Sequence, residues 1–399
     1  MADAVVSKSD RAWAIRFILC LGLVSLFADM TYEGAYSIIG PFLKELGATA
    51  AQVGLISGLG EMIAASLRFF SGKFADRTRA YWGITISGYA LNVLVVPALA
   101  LAGNWQMAAL LVAVERTGKA MRGPARDVLL SEATGKVGHG FGFGVHAAMD
   151  QAGAVIGPLL MFLAVAKTSH FGPAFLRLAF PAAAALLSLL LARAAYRGKA
   201  EPPPQKAATQ KVLPRVFWLY VAAAGVLACG FPDFPLLAYH FQKTAIAKPE
   251  VIPLLYSGAM GVTGLSALVL GKLFDRYGIA ILSVSILVSM LALPLGFLGG
   301  PIGAIASVAC WAFGYGAQDA SLRAGISQVV SMNKRGGAFG AFNGVFGVAW
   351  FLGSVVMGLL YDVSLPAVVI FGLTMQVVAA GMFLWLRRPL ADAAAAATA

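Results

Sequence analysis

An all-helical membrane protein, built as two six-helix bundles with both termini cytoplasmic, is the fold class this sequence predicts. Three observations carry the expectation. Of 399 residues, 59% are hydrophobic and 12% charged, about half the charge of an ordinary soluble domain, and mean hydropathy is +0.80. Turn signals and charge clusters divide the chain into twelve mostly apolar stretches, each near the roughly 20 residues that cross a bilayer. The two halves also repeat one another.

The first stretch, 14–43, follows a polar N-terminus carrying Lys8, Arg11 and Arg16. It is longer than a signal-peptide core and has no small-residue cleavage site, so it reads as a retained first span. Five more spans, at 50–72, 81–102, 105–130, 139–166 and 173–195, complete a first bundle over 1–196. Residues 197–214 hold three consecutive prolines and four cations and read as a cytoplasmic linker. Spans at 215–242, 250–273, 279–299, 302–329, 337–360 and 365–386 make a second bundle over 215–388. The Ala-rich stretch 389–399 reads as a disordered tail.

The repeat is seen in matched residues. Gly72, Asp76 and Arg77 after span two return as Gly271, Asp275 and Arg276 after span eight, 199 residues later. At an offset of 196, Gly118 matches Gly314, Phe143-Gly144 matches Phe339-Gly340, and Gly157 matches Gly353. A near-constant offset over several positions indicates a duplicated six-helix unit. With both termini inside, about 19 of the 30 Lys and Arg fall in termini and cytoplasmic loops. Only Lys44, Lys167, Lys243 and Lys248 fall in outer loops, a positive-inside bias. The net charge of +12 is thus spent on orientation, and no nucleic-acid partner is expected. Cys20, Cys229 and Cys310 are widely spaced and read as free thiols. With four His and no metal-ligand spacing, Ser-His-Asp order or phosphate-binding loop, neither a metal, a cofactor nor an enzyme activity is expected.

Twelve spans as six plus six, a basic central linker and GxxxDR after spans two and eight resemble the major facilitator superfamily over nearly the whole chain. The resemblance implies that Gly72, Asp76, Arg77, Gly271, Asp275 and Arg276 form an inner-face gating clamp. Arg79 departs from it, standing where the family usually has Gly, while the second copy keeps Gly278. Gly153, Gly157 and Pro158 in span five resemble the GxxxGP core of the family's proton-coupled exporters, with Met161 and Phe162 replacing its trailing glycines. Gly at i and i+4 lets helices approach closely.

Ionisable groups at bilayer depth cost roughly 2.5–3.5 kcal/mol each even on lenient scales, and each implies a partner. Asp29 and Glu33 lie four apart on one face of span one, with Tyr32 and Tyr36 beside them. Two carboxylates so placed repel when both are ionised, which favours a proton-coupled step; a static arginine pair is the alternative. Glu61 and Arg68 share a face of span two. His146 and Asp150 lie four apart in span five, next to Gln151, and His146 is either a proton relay or a hydrogen-bonded helix residue. In span four, Glu115, Lys119, Arg122 and Arg126 fall within about 60° of arc. Arg116 lies on an adjoining strip, in a place resembling the family's span-four arginine. Arg122 and Arg126 reach either the cavity or only the cytoplasmic interface, and Pro124 should end or kink the helix. The second half is sparser. Asp233 sits between Pro232 and Pro235, where freed carbonyls could line a cavity. Asp319 and Arg323 are spaced for an internal pair, and Gln318 and Asn343 are candidate substrate contacts.

These features together predict a monomeric secondary transporter in a bacterial inner membrane, surrounded by lipid and driven by the proton gradient. The leading expectation is export of a small organic molecule. The alternatives are a symporter importing a polar or anionic metabolite and a non-transporting receptor on the same fold.

Overall fold

The computed structural model describes residues 7–198, 213–330 and 335–398. Most of the expected linker therefore lies outside the described residues, as does the Asp275 side chain. No strand occurs among the described residues.

Helix α1 (Lys8–Glu45) starts at a Ser7 cap whose side chain accepts from the Asp10 N–H. Helix α2 (Ala50–Thr78) starts at a reciprocal Thr49/Gln52 capping box. Helices α3 (Tyr81–Ala98), α4 (Trp105–Thr134) and α5 (His139–Thr168) follow. Then α6 (Phe171–Ala174) leads through a tight turn into α7 (Ala179–Ala195). The second half runs as α8 (Arg215–Gly230) and α9 (Phe234–Lys243), α10 (Val251–Tyr277), then α11 (Ala280–Ser289) and α12 (Ala292–Leu298). It closes with α13 (Gly300–Val329), α14 (Arg335–Val363) and α15 (Leu365–Thr398). Ten described stretches are long and apolar enough to cross a membrane. Helices α4 and α13 are each 30 residues long and are not among these ten.

Two expectations are corrected here. Pro124 neither ends nor breaks α4, which continues to Thr134. The carbonyl four residues earlier, Ala120, which proline leaves without its helical donor, accepts instead from Ser71 Oγ at 2.9 Å. The expected tail is also helical in its backbone, since α15 runs through Pro389 to Thr398. Alanine has the highest helix propensity, and seven of the last nine residues are Ala.

The repeat reappears as matched packing. A Cβ on Gly157 (α5) would lie 2.3 Å from the Met30 carbonyl of α1, and one on Gly353 (α14) would lie 2.1 Å from the Cys229 carbonyl of α8. Gly118 approaches Asn92 of α3 as Gly314 approaches Ser289 of α11. Gly153 meets the Leu26 carbonyl one turn before Gly157, so the GxxxG pair brings α5 onto the backbone of α1, as small residues do between helices in lipid.

Arg79 and Gly278, 199 apart, both end their helices in left-handed backbone, with φ of 55° and 61°. Glycine adopts that region freely, whereas an L-residue pays about 1–2 kcal/mol. Arg79→Gly should therefore raise the melting temperature, by roughly 1 kcal/mol of stability. A thermal melt of the detergent-purified variant checks it; an unchanged or lower midpoint would count against strain at this cap.

The halves meet most closely at the end that holds the α1–α2 turn. Added Cβ atoms on Gly40 and Gly54 would lie 2.0 Å from the Pro235 carbonyl and 2.2 Å from the Ser354 carbonyl. Ala51 N–H also donates to Asp362 at 3.1 Å. Toward the opposite end the bundles enclose a cavity.

Candidate functional site

The cavity has a volume of about 350 Å³ and takes its walls from α1, α2, α4 and α5 on one side and α10, α13 and α14 on the other. Asp29, Tyr32, Glu33, Glu61, Arg68 and Lys119 line it from the first bundle, with Asp150 and Gln151. Gln318, Asn343 and the Asp319–Arg323 pair line it from the second, with an aromatic wall of Tyr315, Phe342 and Trp350. Ten of the residues singled out from the sequence thus line this one surface.

Charges on α4 reach across to α1 and α2. Arg116 Nη2 lies 3.3 Å from Glu61 Oε1. Its Nε approaches Glu115 Oε2 at 3.3 Å without hydrogen-bond alignment. Asn92 of α3 donates to Glu115 Oε1 at 2.6 Å. Lys119 Nζ sits 3.6 Å from Glu33 Oε1 and 3.9 Å above the Tyr32 ring. Arg122 Nη2 stands 3.8 Å from Asp29 Oδ1, sandwiched near the Tyr32 and Tyr89 rings. Arg122 is 3% exposed. The sequence left open the cavity and the cytoplasmic interface for Arg122; it is instead enclosed within the bundle beside Asp29 and does not line the cavity. Taking such charges out of water costs several kcal/mol per ion, which mutual pairing offsets.

These pairs are not equally firm. Glu33 is held by Lys119 and also accepts from Tyr256 Oη of α10 at 2.6 Å. Among the described residues Asp29 has only the loose Arg122 contact, and its buried Oδ1 has no hydrogen-bond partner there. Asp150 has no ion pair among the described residues, and its Oδ1 is likewise buried without a hydrogen bond.

Four expected cavity residues lie elsewhere. Tyr36 lines a small apolar pocket that the Glu115–Arg116 pair closes on one side. Arg122 is enclosed as described. His146 Nε2 bonds Ser25 Oγ at 2.9 Å, and Ser25 also receives Arg126 Nη1 at 3.3 Å, so His146 belongs to a hydrogen-bonded cluster away from the cavity. Asp233, 1% exposed, lies in the break between α8 and α9, where the freed carbonyls find internal donors. Trp311 Nε1 donates to Pro232 O at 2.8 Å, and Gln376 Nε2 to Gly230 O at 3.0 Å. Asp233 itself accepts from Ser354 at 2.6 Å, from the Trp350 indole and, across the bundles, from Ser57 of α2 at 2.9 Å. Ser57→Ala removes one hydrogen bond to a charged group, worth about 1.5–3 kcal/mol, and should loosen the closed end. The check is maleimide labelling of a cysteine at Ile56 in a background lacking the three native cysteines; labelling should speed up, and an unchanged rate would show that Ser57 does not hold the bundles together.

Of the gating residues, Gly72 packs beside Pro124, and Asp76 accepts from Tyr81 Oη at 3.2 Å. Arg77 is exposed, Gly271 faces Ala320 and Arg276 stands over the Tyr277 ring. None of them lines the cavity.

Two helical bundles closing at one end over a polar cavity, with walls drawn from both, define a multi-pass membrane transporter. The Major Facilitator Superfamily model matches residues 21–354, and the chain belongs to that superfamily of secondary transporters. It is 39% identical over 386 residues to an uncharacterized protein of Mycobacterium tuberculosis, covering 95% of this chain and 94% of that one. It is 24% identical over 395 residues to an uncharacterized MFS-type transporter of Methanocaldococcus jannaschii, covering 95% and 97%. Among solved structures, it is similar in fold to the nucleoside transporter NupG, with a TM-score of 0.74 at 15% identity over 93% of this chain and 98% of that one. A bacterial homologue of the human lysosomal transporter Spinster, inward-facing and occupied, gives 0.72 at 15% identity over 96% and 98%.

Proposed function

We propose that the protein exports a small organic molecule by proton-coupled alternating access. In this reading all twelve spans cross a bacterial inner membrane, with the termini and the Gly72–Arg77 turn in the cytoplasm. The cavity then faces the cytoplasm, because the end holding the α1–α2 turn is the closed one.

One observation carries the coupling: among the described residues, two carboxylates on the cavity wall, Asp29 and Asp150, have no firm cation. A proton can neutralise such a group. The loosely held Asp29 and unpaired Asp150, both on the cavity wall, are the carboxylates free to take it, whereas Glu33 and Glu61 are held by cations. A mobile proton at the substrate cavity is what coupling requires, since each ligand then biases the same two-state rearrangement. Glu33 and Lys119 set the electrostatic background, and the Glu61–Arg116–Glu115 cluster seals the cavity from the apolar pocket beyond it.

Direction rests on the partial GxxxGP resemblance at Gly153, Gly157 and Pro158, which pack α5 onto α1. The test is transport in vesicles under an imposed pH gradient, using a ligand found by thermal-shift screening at two pH values. Substrate should move against the proton flux; movement with the protons would make the protein a symporter.

A further inference from the structure

Pairing within the cavity leaves one cation over. Arg116, Lys119 and Arg122 of α4 each face a carboxylate of α1 or α2, and Arg126 is committed to Asp127 at 2.8 Å. None of the span-four cations is therefore free for a substrate. Arg68 of α2 has no carboxylate within ion-pair distance among the described residues, yet it lines the cavity. Arg323 of α13, from the opposite bundle, lines the same cavity. Arg323 has its own partner in Asp319 at 2.9 Å. Of these two cavity guanidiniums, Arg68 is thus the one without a carboxylate partner among the described residues.

Two further features stand there. The Gln318 side chain, 5% exposed, has both amide atoms buried without a hydrogen-bond partner, and it lines the cavity one residue before Asp319. A buried amide without partners costs free energy unless a ligand supplies a donor and an acceptor. Deeper in, the Tyr315, Phe346 and Trp350 rings form a contiguous wall, with Phe346 and Trp350 centroids 5.7 Å apart and Tyr315 and Trp350 6.5 Å apart. Guanidiniums match carboxylate and phosphate oxygens through paired N–H donors, and flat rings favour a flat apolar body.

We infer that the cavity binds an aromatic organic anion, its charged group held between Arg68 and Arg323 of opposite bundles, its polar substituents at Gln318, and its ring against Tyr315, Phe346 and Trp350. Asp150, the unpaired acid on the α5 side, repels the charged group and so fixes which end of the ligand points toward Arg68. An anion bridging two bundles also ties occupancy to their separation. The inference rests on the cavity being the substrate site proposed above.

The test uses matched probes on the purified protein in neutral-lipid nanodiscs: 2-naphthoate, 2-naphthyl phosphate, the neutral 2-naphthamide and the cationic 2-naphthylmethylamine, measured by calorimetry and thermal shift. At least one anion should bind, at least tenfold tighter than the amide and the amine. Arg68→Gln and Arg323→Gln should each weaken it tenfold or more, Arg68→Lys less, and Arg177→Gln, remote from the cavity, not at all. Equal binding of the amide, tighter binding of the amine, indifference to both substitutions in folded protein, or binding of no anion would each overturn the inference. The two readings fail separately. Anion binding without proton-driven transport would sink the coupling and leave this site, whereas proton-driven transport of a neutral or cationic compound would do the reverse.

Discussion

Arg116→Met should be the most destabilising single change in the first bundle. Arg116 is 5% exposed and is the cation beside both Glu61 and Glu115. Methionine fills much of the same space but supplies no charge. Removing one partner of a buried ion pair costs about 3–5 kcal/mol, because the remaining charge stays buried and uncompensated. Here two carboxylates lose their cation, and Asn92 remains hydrogen-bonded to Glu115 only. The expected result is a large fall in melting temperature and loss of the monodisperse species in detergent. The compensated variant Glu61→Gln/Arg116→Met should recover a substantial part of the loss, since one of the orphaned charges is gone. If Arg116→Met melts like the parent, the cluster is not the structural seal assigned to it.

The second large effect concerns energy coupling. The Asp29→Asn/Asp150→Asn variant removes the two cavity carboxylates that lack firm partners while keeping their size and hydrogen-bonding capacity. Proton-driven transport should be abolished, whereas exchange of labelled for unlabelled substrate, which needs no net proton movement, should remain measurable. Glu33→Gln should act differently. It releases Lys119 and weakens the Tyr256 contact between the bundles, so exchange itself should suffer. Two carboxylates four apart in span one, alike in the sequence, are thereby separated into a proton site and an inter-bundle tie. Survival of gradient-driven transport in the double variant would refute the proton site.

Much of this arrangement was legible before any coordinates. The helical period places Glu115, Lys119 and Arg122 on one arc, and the structure shows that arc turned toward α1 and α3. The i,i+4 spacing of Asp319 and Arg323 anticipates their ion pair at 2.9 Å. Gly278 and Arg79, at matched positions of the repeat, both end their helices at positive φ. What periodicity cannot supply is partner choice between helices, because pairing depends on how deep each helix sits and how it is rotated. Arg68 and Glu61 share a face of α2, yet Glu61 pairs with Arg116 of α4 while Arg68 lines the cavity beside Gly123 with no ion pair among the described residues. Asp233 looked like a cavity residue because prolines flank it; the break instead folds inward onto Trp311, Ser354 and Ser57. Asn92, Tyr256 and Ser57 carry little signal in sequence. Only Asn92, an amide within an apolar span, could have been flagged by the cost of burying it unpaired. Pro124 misled for a local reason, since Ser71 on a neighbouring helix supplies the donor that proline lacks.

Proton flux through a defined pair of carboxylates is the central claim, and ligand-driven acidification tests it most directly. The protein is reconstituted into vesicles loaded with a pH-sensitive dye, and the ligand identified by screening is added without any imposed gradient. The parent protein should shift the internal pH as substrate moves, and Asp29→Asn/Asp150→Asn should bind the ligand and exchange it with no pH change. Substrate transport by the parent protein with no accompanying proton movement would contradict the account.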